Sequence, residues 1–273
     1  EARRPRPFDA DLRGAEASKG RLDGRLRLRL LHDEGDFAKA VHRCTGVGKC
    51  LADNHGSGGV MCPSFQATRD EKDSTRGRAR VLQEMIDGRL VKDGWRSPEV
   101  HEALDLCLSC KGCLNDCPTG IDMATYKSEV LHQSYKGRLR PRSHYILGRL
   151  PFWARLSSPI AWLANLMLRT PGVRSVARWV AGVDQRRSLP TFARKRHSRW
   201  ARKRPALEAG RPRVLLWADS FTEYISAESG RSAVAVLESG GYRVERLPRA
   251  ACCGLAWTTT GQLDRAQKIV ADT

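Results

Sequence analysis

The chain has 273 residues, of which 41% are hydrophobic, and a formal net charge of +18. It is long enough for more than one domain, and its apolar content excludes a protein that is disordered by composition. The first thirty residues are rich in Arg and Asp and lack the apolar core of a signal peptide. Seven of the nine cysteines fall between Cys44 and Cys117, at spacings that suit a metal better than the disulfide framework of a secreted protein. We therefore expect a reducing, cytoplasmic environment.

Residues 1–36 are predicted to be a tail, and residues 37–135 the cysteine-bearing domain. The tail alternates charged residues with few apolar ones, so it offers little to bury. Helical periodicity and capping residues predict three helices in the domain. One is capped by Ser74 or Thr75 and ends at Gly88, one starts at Pro98, and one follows Gly120.

Residues 136–212 are predicted to form a basic helical linker. The apolar stretch from Pro151 to Leu168 is interrupted by Arg, Ser and Pro, which favours an amphipathic helix packed on protein or on a membrane surface over a spanning helix. The run from Arg194 to Arg213 is strongly basic, as in a solvated linker or at the inner face of an anionic membrane. Nucleic acid is the least favoured partner, because Trp200 alone is not a stacking platform.

Residues 213–273 are predicted to begin an α/β domain. The apolar run Val214 to Ala218, a helical stretch ending at Gly240, and alternation from Tyr242 to Leu247 predict a β-α-β unit with parallel strands. No G-x-G-x-x-G motif follows the first strand, so a dinucleotide site is not supported. A helix is predicted from Gln262 to Val270. Because an open sheet needs more than two strands, we expect the domain to be truncated.

The strongest motif is a run of four cysteines followed by proline: Cys107-Leu-Ser-Cys110-Lys-Gly-Cys113-Leu-Asn-Asp-Cys117-Pro118. This is the C-x2-C-x2-C-x3-C-P spacing of bacterial two-cluster ferredoxins, in which the fourth cysteine binds the other cluster. Zinc fits less well, since structural zinc sites usually use two separated pairs. Gly112 is expected to relieve crowding where the backbone approaches the cluster.

A first, less regular block contains Cys44, Cys50 and Cys62, with Val47 at the middle position of the motif. By the crossing rule, Cys62 completes the cluster held by Cys107, Cys110 and Cys113, and Cys117 joins Cys44 and Cys50. The first set has four thiolates and predicts a 4Fe-4S cluster. The second has three, which leaves open a 3Fe-4S cluster, a 4Fe-4S cluster with another ligand, or an empty site. The candidates for that ligand are His42 and His55.

The segment from Asp70 to Arg80 lies between the two cysteine blocks and contains Arg76, Arg78 and Arg80. Its arginines are expected either to hydrogen-bond near a cluster, or to fix a domain surface, or simply to belong to a capped, charged helix start.

These motifs resemble the iron–sulfur region of FAD-linked oxidoreductases such as D-lactate, glycolate and D-2-hydroxyglutarate dehydrogenases. The resemblance rests on Cys44-Thr-Gly-Val-Gly-Lys-Cys50, Val60-Met-Cys62-Pro-Ser64, Ser74-Thr-Arg-Gly-Arg-Ala-Arg80 and the Cys107 run. It implies an α-helical ferredoxin fold like that of succinate dehydrogenase, preceded by a flavin domain. Cys252-Cys253-Gly254 resembles the first signature of the CCG cysteine-rich domain found in one subunit each of glycerol-3-phosphate dehydrogenase and heterodisulfide reductase. Cys252 and Cys253 are therefore candidate metal ligands, or else a structural pair.

The resemblance implies an iron–sulfur electron-transfer segment that passes electrons from FAD, on a missing domain or a partner flavoprotein, to a quinone, cytochrome or electron-transfer protein. This segment is not expected to be catalytic alone. Two alternatives remain: a separate electron-transfer subunit of a multi-chain oxidoreductase, and an iron–sulfur regulator that binds nucleic acid through the basic run.

Overall fold

The computed structural model describes residues 26–53, 59–205, 210–247 and 251–273. The chain is mostly helical and divides into two compact units. The first comprises Glu1–Gly137 with Gly261–Leu263, and the second Arg138–Thr260 with Asp264–Thr273. Most of the predicted tail lies outside the described residues.

The first unit is built from six α-helices with short 3-10 turns between them. They are α1 (Phe37–His42), α2 (Pro63–Thr68), α3 (Thr75–Asp87), α4 (Pro98–Asp105), α5 (Gly112–Asp116) and α6 (Met123–Ser134). Apolar faces of α1, α3, α4 and α6 meet in one core, where Val41, Leu82, Val100 and Val130 are fully buried. The core is a helical one, as expected of a ferredoxin domain of this type.

The three helices predicted from periodicity in this unit are confirmed as α3, α4 and α6. Ser74 caps α3, since its Oγ accepts the Gly77 amide at 3.0 Å, and Gly88 ends the helix in a left-handed conformation at φ +62°. Pro98 occupies the first turn of α4, where its missing N–H costs nothing. Asp122 caps α6 by accepting the Thr125 amide at 3.1 Å.

Arg78 joins α2, α3 and α4 from a position that is 2% exposed. Its Nε donates to the Ala103 carbonyl at 2.8 Å, and its Nη2 donates to Ser64 Oγ at 2.9 Å. The buried Asp73 carboxylate lies 3.8 Å from the same guanidinium. A charge buried to this degree is tolerated only when its donors are satisfied, so Arg78 fixes the mutual placement of the three helices.

The second unit contains the remaining described helices and the two described strands. The helices are α7 (Arg142–Ile146), α8 (Leu150–Ser157), α9 (Ala161–Arg169), α10 (Pro171–Ala181), α11 (His197–Ala201), α12 (Ser220–Tyr224), α13 (Ala227–Ser239), α14 (Leu255–Thr259) and α15 (Leu263–Ala271). The strands β1 (Arg213–Leu216) and β2 (Arg243–Arg246) pair in parallel, with Val214 opposite Val244. The predicted β-α-β arrangement is confirmed, with α12 and α13 between the strands.

Two helices replace the single amphipathic helix predicted from Pro151 to Leu168. A 3-10 turn at Ser158–Ile160 separates α8 from α9, and it contains Pro159, which cannot donate a helical hydrogen bond. Within the part of the chain that the structure describes, no helix combines the length and apolar character needed to cross a bilayer.

We expect Arg78→Met to lower the free energy of unfolding by about 3–5 kcal/mol, because it leaves Asp73 buried without its cation and removes two hydrogen bonds. Arg80→Met is the matched control, since Arg80 is exposed on the same helix, and we expect a change within about 0.5 kcal/mol. The measurement is the urea midpoint at constant slope. Equal midpoints for the two variants would contradict this role of Arg78.

Candidate metal centre

Three thiols from distant parts of the sequence border one small cavity in the first unit. They belong to Cys44, Cys50 and Cys117, the set that the crossing rule assigned to the second cluster. Arg43 fastens the two segments, because its Nη1 donates to the Thr119 carbonyl at 3.0 Å, two residues beyond Cys117. The structure thus brings this predicted set together across 73 residues of sequence.

The loop from Cys44 to Cys50 wraps the cavity through two glycines in the left-handed region. Gly46 has φ +82° and Gly48 has φ +80°, which L side chains rarely adopt. A β-carbon at Gly48 would also lie 3.4 Å from Arg76 Nη1. Val47 stands between them and is 67% exposed, so the middle position of the motif faces solvent as well as the cavity.

The first turn of α3 donates backbone amides to two of the cysteines. The Thr75 amide donates to Cys62 Sγ at 3.0 Å, and the Arg76 amide donates to Cys50 Sγ at 3.4 Å. These N–H groups have no partner within the helix, and the helix dipole makes its N-terminus favourable for a thiolate. The hydroxyl of Thr75 also lies 2.8 Å from Cys62 Sγ.

Cys50 and Cys62 form a hydrogen-bonded pair at this helix end. The contact with Cys62, reinforced by the Arg76 amide, lowers the pKa of Cys50 to about 6 despite burial. The same contact, together with burial, raises the pKa of Cys62. The first turn of α3 therefore favours the thiolate form of Cys50.

Cys107, Cys110 and Cys113 are gathered where α4 leads into α5. Ser109 and Lys111 both have positive φ, at +54° and +59°, so the chain winds tightly between the cysteines. Burial raises the pKa of Cys113 to about 11, with nearby Cys107 and Cys110 adding to the effect and the Met123 amide opposing it. Met123 is the first residue of α6, so Cys113 also lies against a helix N-terminus.

Lys127 fixes the backbone at the start of this group. Its Nζ donates to the Cys107 carbonyl at 2.8 Å and to the Asp105 carbonyl at 3.1 Å, and burial lowers its pKa. Sequence reasoning did not single out Lys127. Its position five residues after the Asp122 cap, on the face of α6 toward the motif, is the signal that could have found it.

The segment carrying Cys62 packs against the second motif through its backbone. The Val60 amide donates to Asp116 Oδ2 at 2.7 Å, and a β-carbon at Gly112 would lie 3.0 Å from the Val60 carbonyl oxygen. Gly112 is therefore required by the approach of this neighbouring stretch of backbone. The sulfur of Cys62 itself points to Cys50 and Thr75 rather than to the Cys107 group.

His42 and His55 were the candidates for a fourth ligand beside Cys44, Cys50 and Cys117. His42 bonds the Ala38 carbonyl through Nδ1 at 2.8 Å, and it does not border the cavity of Cys44, Cys50 and Cys117. His55 lies outside the described residues. The described lining of that cavity contains no carboxylate and no imidazole.

The arginines of the Asp70 to Arg80 segment take separate roles. Arg76 borders the cavity and forms an ion pair with Glu71 at 2.7 Å, whereas Arg78 is buried and joins α2, α3 and α4. Arg80 and Arg76 line a second cavity that also contacts Cys44. The expected capped helix start is confirmed, and Arg76 borders the cavity of Cys44, Cys50 and Cys117.

Cys252 and Cys253 lie in the second unit, before α14. Cys253 is exposed, and the Cys252 amide donates to Thr273 Oγ1 at 3.3 Å. In the described parts of the chain, no three His, Cys, Asp or Glu side chains are arranged around one metal ion. Cys44, Cys50 and Cys117 instead border one cavity, an arrangement compatible with ligands that bind separate irons of a cluster.

Comparison with known proteins identifies the domain. Residues 39–121 match the family model described as "4Fe-4S dicluster domain". The chain is 25% identical to the D-2-hydroxyglutarate dehydrogenase of Pantoea ananatis over 89% of its length, and 26% identical to the glycolate oxidase iron-sulfur subunit of Escherichia coli over 78%. It is also 26% identical to a subunit of the anaerobic glycerol-3-phosphate dehydrogenase of Escherichia coli over 46%.

The chain covers 28% of the D-2-hydroxyglutarate dehydrogenase, 46% of the glycolate oxidase subunit and 32% of the glycerol-3-phosphate dehydrogenase subunit, so it spans at most about half of each of these relatives. No solved structure matches the chain significantly. Residues 39–121 are therefore similar to 4Fe-4S dicluster domains, and the chain is homologous to D-2-hydroxyglutarate dehydrogenases, to glycolate oxidase iron–sulfur subunits and to a subunit of anaerobic glycerol-3-phosphate dehydrogenase, as its cysteine motifs predicted.

Proposed function

We propose that this chain is the iron–sulfur electron-transfer segment of a flavin-dependent 2-hydroxy-acid dehydrogenase. It passes electrons from FAD, on another domain or a partner flavoprotein, to a quinone, cytochrome or electron-transfer protein. The observation that carries the proposal is the meeting of Cys44, Cys50 and Cys117 at one cavity inside a matched dicluster domain. Its homology to dehydrogenases and their iron–sulfur subunits supports the same function.

Two ligand sets follow from this proposal. Cys62, Cys107, Cys110 and Cys113 hold a 4Fe-4S cluster, while Cys44, Cys50 and Cys117 hold a second cluster with one corner lacking a protein thiolate. A 3Fe-4S cluster suits the second set, because the described cavity lining has no carboxylate or imidazole. In the first set, Cys62 comes from a segment whose backbone, at Val60, packs on Gly112 of the second motif.

When bound, such clusters act as one-electron carriers between a flavin, which takes up two electrons, and the acceptor. The chain's own groups hold and tune them. Amides of Thr75, Arg76 and Met123 hydrogen-bond to ligand sulfurs and so stabilise added negative charge. Arg76 sets a positive charge at the rim of the second site, and Lys127 holds the Cys107 carbonyl in place.

The proposed domain boundaries remain 37–135 for the ferredoxin-like domain, 136–212 for the basic connecting region and 213–273 for the start of a CCG-type α/β domain. Cys252 and Cys253 are assigned to that last domain as candidate ligands. We place the protein in the cytoplasm, where thiols stay reduced.

A separate electron-transfer subunit is the second candidate. Two relatives favour this candidate, because their names describe subunits. The chain covers 46% of the length of one of them, the glycolate oxidase iron-sulfur subunit. A flavin-domain reading frame fused upstream would rule it out. An iron–sulfur regulator that binds nucleic acid is not favoured, because the relatives are oxidoreductases.

Anaerobic reconstitution of the full chain is expected to give about seven irons and a three-iron electron paramagnetic resonance signal in the oxidised protein. Cys44→Ala removes that signal and leaves about four irons, because only the three-thiolate site loses a ligand. Cys113→Ala keeps the three-iron signal and loses the four-iron cluster. The measurements are iron content and low-temperature spectra of the same samples.

Val47→Cys is the gain-of-function control for this experiment. A thiol at the open middle position should add about one iron per chain and replace the three-iron signal with that of a second four-iron cluster. An iron-free, zinc-loaded wild-type protein would refute the proposal. Four irons without a three-iron signal would mean that the Cys44 site is empty.

Thr75→Val is expected to lower the reduction potential of the cluster bound through Cys62 by about 20–60 mV. The variant keeps the Thr75 amide and loses only the hydroxyl, and a hydrogen bond is worth about 0.5–1.5 kcal/mol, with 59 mV equal to about 1.4 kcal/mol for one electron. The potential is read by a redox titration followed by electron paramagnetic resonance.

Thr68→Val is the matched control for this titration, because its hydroxyl donates to the Ser64 carbonyl within α2 and should not alter the potential. A shift of equal size in both variants would show that Thr75 acts through the fold and not through the sulfur.

A further inference from the structure

Helices α8, α9 and α10 of the second unit bury small residues and expose large apolar ones. The buried positions are Pro151 and three alanines, Ala154, Ala161 and Ala181, and these alanines are 1–4% exposed. The outward side chains include Phe152, Leu156, Trp162, Leu166, Val176 and Trp179, with exposed fractions between 51% and 62%. This is the reverse of the usual arrangement in a water-soluble surface helix. Large apolar side chains exposed on helices that pack together, as α9 and α10 do, mark an interaction site.

The charge of the same region has one sign. Between Glu129 and Asp184 the sequence has no acidic residue and nine Lys or Arg residues. Arg155, Arg169 and Arg174 lie on these helices and are exposed. A surface that combines large apolar side chains, tryptophans and arginines without acids is complementary to lipid headgroups of negative charge.

Contacts within the unit hold this apolar face in place. Asn165 attaches α9 to the backbone of Phe192 through two hydrogen bonds. Its Nδ2 donates to the Phe192 carbonyl at 2.7 Å, and its Oδ1 accepts from the Phe192 amide at 2.8 Å. The Arg142 guanidinium lies 4.1 Å from the ring centre of Trp179 on α10. The outward side chains are therefore presented by an ordered scaffold.

We propose that the face formed by α8, α9 and α10 binds the surface of an anionic membrane, with Trp162 and Leu166 inserted among the lipids and Arg169 and Arg174 at the headgroups. The helices are 8–11 residues long and lie on the surface without crossing it. A protein partner would need acidic groups opposite every arginine, whereas an anionic leaflet supplies negative charge everywhere. This binding does not depend on the clusters.

The test is co-sedimentation of the full chain with vesicles of phosphatidylglycerol and phosphatidylcholine, compared with vesicles of phosphatidylcholine alone. Iron content is measured in the same samples, so that a failure of the electron-transfer proposal is seen separately. We expect binding to the anionic vesicles that weakens with salt, and at least tenfold weaker binding to the neutral ones.

Two double variants separate the apolar and charged contributions. Trp162→Ser with Leu166→Ser should weaken binding more than tenfold, because both side chains are exposed one turn apart on α9. Arg169→Gln with Arg174→Gln should weaken it roughly 20-fold on anionic vesicles only. Trp217→Ser is the control, since Trp217 is 52% exposed outside these helices, and it should leave binding unchanged.

Brominated lipids give a second readout. They should quench the tryptophan fluorescence of the wild-type chain, and the quenched part should be the emission that is missing in the Trp162 variant. Absence of vesicle binding, or binding that survives both double variants, overturns the proposal. Self-association of the wild-type chain that is abolished by the Trp162 and Leu166 variant, with no vesicle binding, would instead assign the face to a protein contact.

Discussion

The cysteine site depends on the first turn of α3, where backbone amides that cannot bond within the helix donate to sulfur. Thr75 and Arg76 supply these amides to Cys62 and Cys50, and Met123 supplies one to Cys113 from the first turn of α6. Both cysteine blocks thus meet the positive end of a helix dipole. The buried Arg78 joins these elements, because it hydrogen-bonds from α3 to the helix that follows Cys62 and to the helix that leads to Cys107. A site that gains negative charge on reduction is stabilised most by donors that are already oriented.

The two ligand sets differ in how completely the protein encloses them. Cys113 is buried. In the proposed assignment its set has four thiolates, whereas the other set has three because Val47 stands where a fourth cysteine would be. Val47 and Cys110 are both exposed, so each site reaches the surface at one point. Under the proposed function, these two points are where electrons can enter and leave without crossing a thick layer of protein. The uneven ligand sets then give two carriers of different chemistry within one small domain.

Local patterns predicted α3, α4 and α6 of the first unit, since capping residues and apolar periodicity act over a few residues. Ser74 and Gly88 bound α3 as expected, and the parallel strands β1 and β2 also follow from their apolar runs. The sequence could not predict contacts made between distant segments. Gly112 was expected to make room for a cluster, and the close neighbour is the Val60 carbonyl. In the sequence, Arg78 resembles its neighbours Arg76 and Arg80, since all three lie in one charged run. Only tertiary packing distinguishes them: Arg78 is buried, whereas Arg76 and Arg80 line a cavity.

The region from 136 to 212 shows the same limit from the other side. Its composition correctly indicated basic, amphipathic helices, but periodicity alone does not say which face is inward. On α8, α9 and α10 the buried side chains are small, mainly alanine, so these helices bury little apolar area against the rest of the unit. Most of their apolar area is exposed to solvent. Burying those large side chains inside would have contributed more to folding, since the gain scales with apolar area. A sequence that retains them outside, beside arginines and without any acidic residue, gives up that stability for a surface suited to an anionic, apolar environment.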